Sequence, residues 1–538
     1  MAEPAYRLVG RPGNAVLFHN GETAVSAATF LRHCHALAAM LPAGIQPAGA
    51  QPDGTHPEGA QPEGAQPERA QPERAQVGGA HMINLCRDRY AFTVAFAASV
   101  LRRHVCLLTG ERSAAALAAL AQAYPGSYIA TDEPAQHRGA DTAVPICVVA
   151  PGAIHVDDRD ADDGDADHGG ADDPNVDQRS SGDGGYRQGG GPANPAIPAE
   201  QLAAIVFTSG STGVPTPHRK LWGALAERSR AAAAQFELHE ADPCGVVGTV
   251  PPQHMYGFET TVLLPLHAPS SSWCGPAFYP TDVQAALAAI PEPRILVTTP
   301  LQMGGLLRAE TPLPALRAVI SATAPLDADL AVAVEAQWQT RVLEIFGATE
   351  VGSIASRRTI DGDRWALYPE VRLTPQDDLV VVTAPFAPPV PLADEVELLG
   401  HDQFRLLGRR TDIVKLGGHR ASLSGLNRVL TGLDGVTDGT FVVPDDLNQQ
   451  PTARLLAVVV APDRSADSIL RELREHLDPL FLPRRVVLVP SLPRNALGKL
   501  PREALLRMVS QDDFPPDRLS PGRLSPGRLS TGRPTVRN

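Results

Sequence analysis

An apolar run that opens into a loop of glycines and small hydroxyl residues constrains this chain more than any other stretch. Ile205-Val206-Phe207-Thr208 reads as a buried strand and Ser209-Gly210-Ser211-Thr212-Gly213 as the loop, with a helix-like stretch expected from about Lys220. Consecutive backbone N–H groups in such a loop can form a concave anion nest, and glycine lets the main chain approach a polyphosphate closely. Thr208, Ser209, Ser211 and Thr212 add hydroxyl donors. No Lys-Ser or Lys-Thr follows the last glycine, so this is not a Walker A loop. A Ser/Gly-rich surface turn would have the same composition.

The chain is long enough to bury more than one core: it has 538 residues, 43% of them hydrophobic. A formal net charge of -13 and a pI near 5.7 speak against nucleic acid or a membrane surface as partner. No run approaches the length of a transmembrane helix, and the N-terminus lacks a charged-then-apolar signal pattern. Cys34, Cys86, Cys106, Cys147, Cys244 and Cys274 lie far apart without paired metal-ligand spacing, as buried thiols of a cytoplasmic protein would.

Three segments read as unfolded. Residues 46–76 repeat a five-residue unit whose regular prolines forbid a helix and remove ladder donors. Residues 157–191 are rich in Asp and Gly; no Glu closes a twelve-residue calcium loop begun at Asp158 or Asp160, so the stretch reads as a solvated acidic linker. The tail, residues 510–538, repeats Arg-Leu-Ser-Pro-Gly and is basic and disordered in character.

Between these segments, apolar strands alternate with helices. Met82 to Leu85, Ile295 to Thr299, Ala318 to Ser321 and Arg341 to Ile345 read as strands, and Asp327 to Trp338 as a helix. That alternation predicts an α/β fold, a large N-terminal domain of helix-covered sheets. After Gly408 the pattern restarts: helices at Ser422 to Leu430 and Ser465 to His476, strands at Phe441 to Val443, Leu455 to Val460 and Val486 to Val489. About 100 residues suffice for a separate small α+β domain.

Three further stretches accompany the loop: Ile345-Phe346-Gly347-Ala348-Thr349-Glu350, then Gly408 to Gly418, then Pro493-Arg494-Asn495-Ala496-Leu497-Gly498-Lys499. In this order and at these separations, the four resemble the signature loops of the adenylate-forming superfamily. That family includes acyl- and aryl-CoA synthetases, luciferases and nonribosomal-peptide adenylation domains. The resemblance covers roughly residues 200–508. It implies an AMP-binding domain over 1–407, a hinge at 408–411 and a mobile C-terminal domain over 412–509.

The resemblance also implies a division of labour. Thr208, Ser209, Gly210, Ser211, Thr212 and Gly213 would hold the β- and γ-phosphates of ATP. Glu350 would bind Mg2+, for which a hard oxygen ligand is suited. Thr349 could donate to the α-phosphate, and Phe346, beside Gly347, could stack on adenine where the family usually has Tyr. Asp394, fourteen positions before Gly408, matches the carboxylate that accepts both ribose hydroxyls, and Arg409 the arginine near them. Lys499 would bridge the substrate carboxylate and the α-phosphate, as a compact charge on a flexible stem can. Pro251 to Phe258 resembles the loop that shapes the acyl pocket, with His254 near the carboxylate or the thiol tunnel. Ser321 to Leu326 resembles the segment lining the adenine and acyl sites.

Two departures stand out. Thr216-Pro217-His218-Arg219-Lys220 follows the loop where most relatives have Lys-Gly, leaving Arg219 and Lys220 as the cations able to substitute. The usual acidic hinge position is Thr411, with Asp412 next to it. The Pro-His-Arg-Lys form is similar to ligases of aryl-polyene and xanthomonadin-type pigment clusters, which load an acid onto an acyl carrier protein. The implied activity is an ATP-dependent acid–thiol ligase, with a small carboxylic acid activated and passed to coenzyme A or phosphopantetheine. Two alternatives stand beside it. One is an amino-acid-activating enzyme, in which Glu259 would pair the substrate amine. The other is a nucleotide-binding relative without catalysis.

Overall fold

The computed structural model describes residues 4–42, 80–134, 144–150, 192–208, 216–409, 413–416, 419–444, 454–494 and 500–511, apart from residues 22 and 378. The repeat at 46–76, the linker at 157–191, the loop Ser209 to Gly213, Lys499 and the tail from 512 onward lie outside the described residues. Contacts divide the chain into two compact units, changing from one to the other between Thr411 and Asp412.

The first unit is built on two large sheets. In the six-stranded sheet, Leu202–Thr208 lies parallel to Val105–Leu108, followed in order by His81–Asn84, Tyr128–Thr131 and Ile146–Val148. Its far edge is Thr216–Leu221, antiparallel to Leu202–Thr208, with Thr216 opposite Thr208 and His218 opposite Val206. The helix expected from about Lys220 therefore starts later, at Trp222. Residues 216–221 pair with the preceding strand, and this ladder outweighs the helical tendency of the Lys220 neighbourhood.

The second sheet has eleven strands. Its centre is parallel: Arg341–Ala348, Ala318–Ser321, Arg294–Thr298, Cys244–Gly248, Ser270–Trp273 and Val16–Asn20 follow one another across it. Antiparallel strands complete one side, including Gly352–Arg358, Arg364–Leu367, Gln403–Arg409 and Asp394–Leu398. Arg294–Thr298 and Ala318–Ser321, in the middle of the sheet, are short runs rich in Val, Ile and Leu and almost wholly buried, as parallel strands covered on both faces are.

The Arg89–Leu101 helix shows why the unit holds together. It is capped by the Asp88 side chain, which accepts from Ala91 N at 2.9 Å, and nearly every residue in it is buried. A helix apolar all round belongs inside a protein. It packs on strands of the six-stranded sheet, on the Ala27–Met40 helix and on the π-helical turn Phe258–Leu263. Its one charge, Arg89, reaches the other sheet. The guanidinium donates to Gly248 O, to Val250 O at 2.7 Å, to Gly275 O at 3.1 Å and to Thr261 Oγ1 at 3.2 Å.

The second unit is a small α+β body with its own core, centred on Leu430, Leu455, Ile469 and Leu473. Asp438–Val442, Leu456–Val460 and Arg485–Leu488 form its three-stranded sheet. The helices Leu423–Thr431, Ala466–His476 and Arg502–Gln511 and the hairpin Ile413–Leu416/His419–Ser422 complete it.

Replacing Arg89 by Met would leave two buried carbonyls, Gly248 O and Val250 O, and the half-buried Gly275 O without their donor, and orphaned buried acceptors are costly. Arg89→Met is expected to destabilise the first unit by at least about 3 kcal/mol. Thermal unfolding checks this; a midpoint equal to that of the wild type contradicts it.

Candidate active site

Ligands of open parallel sheets bind beyond the carboxyl ends of the strands. In the eleven-stranded sheet those ends carry Thr298, Ser321 and Phe346 to Ala348 on neighbouring strands. Tyr256 reaches across them, its hydroxyl donating to Ile320 O at 2.8 Å and to Thr298 O at 3.1 Å.

Just past Ser321 the chain makes a tight excursion. Thr323 has φ +80°, in the left-handed region that a β-branched residue rarely adopts. The buried Glu344 carboxylate holds the far side of the excursion, accepting from Leu326 N at 2.8 Å, and is itself paired with Arg357 at 2.7 Å. Ser321 Oγ and Thr323 Oγ1 are buried with no hydrogen-bond partner among the described residues. A strained backbone bearing orphaned hydroxyls is a place where a polar ligand is expected.

Next along the chain comes the turn between Arg341–Ala348 and Gly352–Arg358, closed by Val351 N donating to Ala348 O at 3.0 Å. It presents Thr349 and Glu350, both half-buried. Phe346, also half-buried, packs against Trp365 and Phe404 with ring centroids 5.7 and 5.6 Å away. Gly347 lies where a Cβ would stand 2.7 Å from Gly352 O, so the two strands meet too closely for a side chain.

The six-stranded sheet brings its own groups to this turn. The Thr208 Oγ1 lies 2.9 Å from His218 Nε2, and the same nitrogen lies 4.0 Å from Glu350 Oε1. Two residues on, the buried Lys220 ammonium donates to Glu350 O at 2.8 Å. Burial pushes Lys220 down to about 8, with Glu259 and Glu350 opposing that fall. Burial likewise lowers His218, with Glu350 raising it in part. Of the two cations considered as phosphate holders, Arg219 is exposed, whereas Lys220 is turned inward and engaged with the Glu350 main chain.

Beneath the turn sits Glu259, on the π-helical turn Phe258–Leu263. Its carboxylate accepts from Ser353 Oγ at 2.5 Å and from Ser353 N at 3.1 Å. Burial raises its carboxyl, against the pull of Ser353, Lys220 and Arg228. Glu259 is thus buried and hydrogen-bonded to Ser353 inside the protein. Phe258, a pocket candidate by sequence, is fully buried and packs on Phe96 with centroids 4.9 Å apart, so it belongs to the core.

The loop Pro251 to His254 leaves the strand whose end Arg89 grips, and Gln253 Nε2 fixes it to Cys86 O at 2.9 Å. His254 is half-buried, and a Cβ added to Gly110 would stand 3.0 Å from its ring. Asp394 opens its strand directly opposite Arg409, so the backbone pairs the two residues assigned to the ribose. No group of three or more His, Cys, Asp and Glu among the described residues is arranged to hold a metal ion. His218, Ser353 and Arg228 escaped the sequence-based site, and Lys220 entered it only as a cation for the phosphates. Their one signal was His218 and Lys220 at alternate positions of a strand.

A model described as AMP-binding enzyme matches residues 80–399, more than half of the chain. The chain belongs to the AMP-binding enzyme family. Among its relatives, 4-coumarate–CoA ligase of Halorhodospira halophila is 30% identical over 324 residues, covering 56% of this chain and 76% of that one. The enzyme of the same name from Rhodobacter capsulatus is 30% identical over 241 residues, 45% of this chain and 60% of its own length. The fold matches ATP-bound MatB from Rhodopseudomonas palustris, with a TM-score of 0.68 at 20% identity over 93% of this chain and 96% of that one. It also matches anthranilate CoA ligase AuaEII, with a TM-score of 0.67 at 14% identity over 94% and 97% of the two chains. These structural likenesses show the fold. No helix among the described residues is long and apolar enough to cross a membrane.

Gly352 ties the turn to the buried carboxylate. It has φ +102°, and a Cβ there would stand 2.3 Å from Glu259 Oε1, an atom that Ser353 and the surrounding core hold in place. Gly352→Ala is therefore expected to cost at least about 2 kcal/mol. Calorimetry decides this, and an unchanged midpoint would show that Glu259 is free to move.

Proposed function

We propose that this chain is an ATP-dependent acid–thiol ligase, which activates an aryl or fatty carboxylic acid as acyl-adenylate and passes it to a thiol. The observation that carries the proposal is the meeting of Thr208 and Glu350 about one histidine, from two different sheets. Thr208 opens the Ser/Gly loop suited to phosphates, and Glu350 is a carboxylate with 41% of its side chain exposed. A hydroxyl donor close to a hard oxygen ligand suits a magnesium–polyphosphate.

In this reading Glu350 holds Mg2+, which supplies neutralisation of the polyphosphate charge. The loop Ser209 to Gly213 cradles the β- and γ-phosphates beside Thr208. Phe346 and Gly347 border adenine, Thr349 donates to the α-phosphate, and Asp394 with Arg409 receives the ribose. The unpartnered hydroxyls of Ser321 and Thr323 are further donors at the same strand ends. His254 lies by the acid. Lys499 brings the carboxylate and the α-phosphate together, the step in which two anions must meet. The carboxylate oxygen attacks the α-phosphorus, the bond to the β-phosphate oxygen breaks, and pyrophosphate leaves. A thiol then attacks the acyl carbon and AMP leaves. Rotation about residues 408–411 separates the two half-reactions.

The acid is apolar or aromatic and lacks an α-amine. A buried ammonium needs a carboxylate partner, and Glu259 is already committed to Ser353. The similarity to 4-coumarate–CoA ligases supports an aryl acid and coenzyme A. The phosphopantetheine arm of an acyl carrier protein offers the same thiol chemistry and is the alternative acceptor, and the cytoplasm is the proposed location.

Pyrophosphate exchange tests the acid class. Benzoate-type and medium-chain acids are expected to support exchange at least about tenfold above the corresponding α-amino acids, a gap worth about 1.4 kcal/mol. A highest specificity constant for an amino acid would overturn the assignment. Lys499→Ala is expected to abolish adenylate formation while sparing thioester formation from a supplied acyl-adenylate. Equal loss of both half-reactions contradicts the alternation.

A further inference from the structure

His218 belongs neither to the loop nor to the Glu350 turn, yet it stands near Thr208 and Glu350 alike. It lies on the Thr216–Leu221 strand, diagonal to Thr208 across the antiparallel pair, where side chains on one face come within reach. Its side chain is 12% exposed. The single nitrogen Nε2 stands 2.9 Å from Thr208 Oγ1 and 4.0 Å from Glu350 Oε1. The turn carrying Glu350 cannot readily drift from it, because Lys220, on the same strand, holds Glu350 O at 2.8 Å. Lys220 is itself buried, and Glu259 lies among the charges that act on it.

We propose that His218 is a positioning residue that orients the Thr208 hydroxyl toward phosphate and fixes the Glu350 carboxylate for the magnesium–nucleotide. This rests on the ligase reading above. A carboxylate facing Nε2 favours the tautomer with its proton on that nitrogen. Nε2–H then donates to Thr208 Oγ1, and the Thr208 O–H proton is left to point away from the ring as a donor to an anion. Glu350 Oε1, 4.0 Å from that nitrogen, lies in the field of the same N–H without accepting from it. One imidazole therefore sets both the hydroxyl that meets phosphate and the carboxylate that meets the metal, before either ligand arrives. Preorganisation of this kind lowers the cost of binding.

Calorimetric titration of the full chain with ATP, in excess magnesium and in EDTA, reads this directly. His218→Ala is expected to weaken magnesium–ATP binding by about tenfold or more and to raise the magnesium concentration needed for half-maximal tightening. ATP affinity in EDTA is expected to change less than magnesium–ATP affinity, and the melting temperature to stay within about 2 °C. His218→Gln, whose amide can donate to both oxygens, is expected to restore most of the loss. Wild-type affinity in His218→Ala, or equal losses with and without magnesium, overturns the assignment of His218 alone. So does a glutamine variant no better than alanine, or a melting temperature that falls in step with affinity. A wild-type chain that binds no magnesium–ATP overturns the ligase reading together with it.

Discussion

Two sheets that share no hydrogen-bonded strand must present their ends to one another for this site to exist, and a buried ammonium does much of that work. Lys220 belongs to the edge of the six-stranded sheet and donates to the main chain of Glu350, in a turn of the eleven-stranded sheet. The Glu350 carbonyl accepts from this deeply buried ammonium, and the charges of Glu259 and Glu350 oppose the fall that burial imposes on it. Around that link, His218 meets Thr208, and Ser353 meets Glu259. Arg89 performs a similar service farther along, holding the end of Cys244–Gly248 from a helix on the other sheet.

The same region stores local strain. Thr323 and Gly352 both adopt positive φ, one against its β-branched nature and the other made possible by a missing side chain. Each is held by a carboxylate: Glu344 fixes Leu326 beyond Thr323, and Glu259 fixes Ser353 beside Gly352. Strain of this kind persists only where the surroundings over-determine it. Here it coincides with unpartnered hydroxyls at strand ends.

Much of the scaffold was legible because its period is local. Ala318–Ser321 is found where its apolar run placed it, and the helix expected from Asp327 begins at Ala328 with Asp327 as its cap. The Thr216–Leu221 strand was misread as the approach to a helix, since its pairing with Leu202–Thr208 depends on a loop closing back on itself. Glu350 and Asp394 were named as candidates from a resemblance to signature motifs and, for Asp394, from its spacing before Gly408. Glu259 could not be understood from its neighbours in sequence: its partner, Ser353, is almost a hundred residues away. Phe258 was equally opaque, because periodicity does not distinguish a pocket wall from a core wall.

The products of ATP turnover test the central claim most directly. A chain that joins a carboxylate to the α-phosphate must yield AMP and pyrophosphate, whereas one that transfers the γ-phosphate yields ADP and phosphate. Incubating the protein with magnesium–ATP, an aryl acid and coenzyme A, then resolving the nucleotides, distinguishes the two. The account predicts acid-dependent AMP, with pyrophosphate in equal amount and a thioester to match. ADP as the acid-dependent product would contradict it.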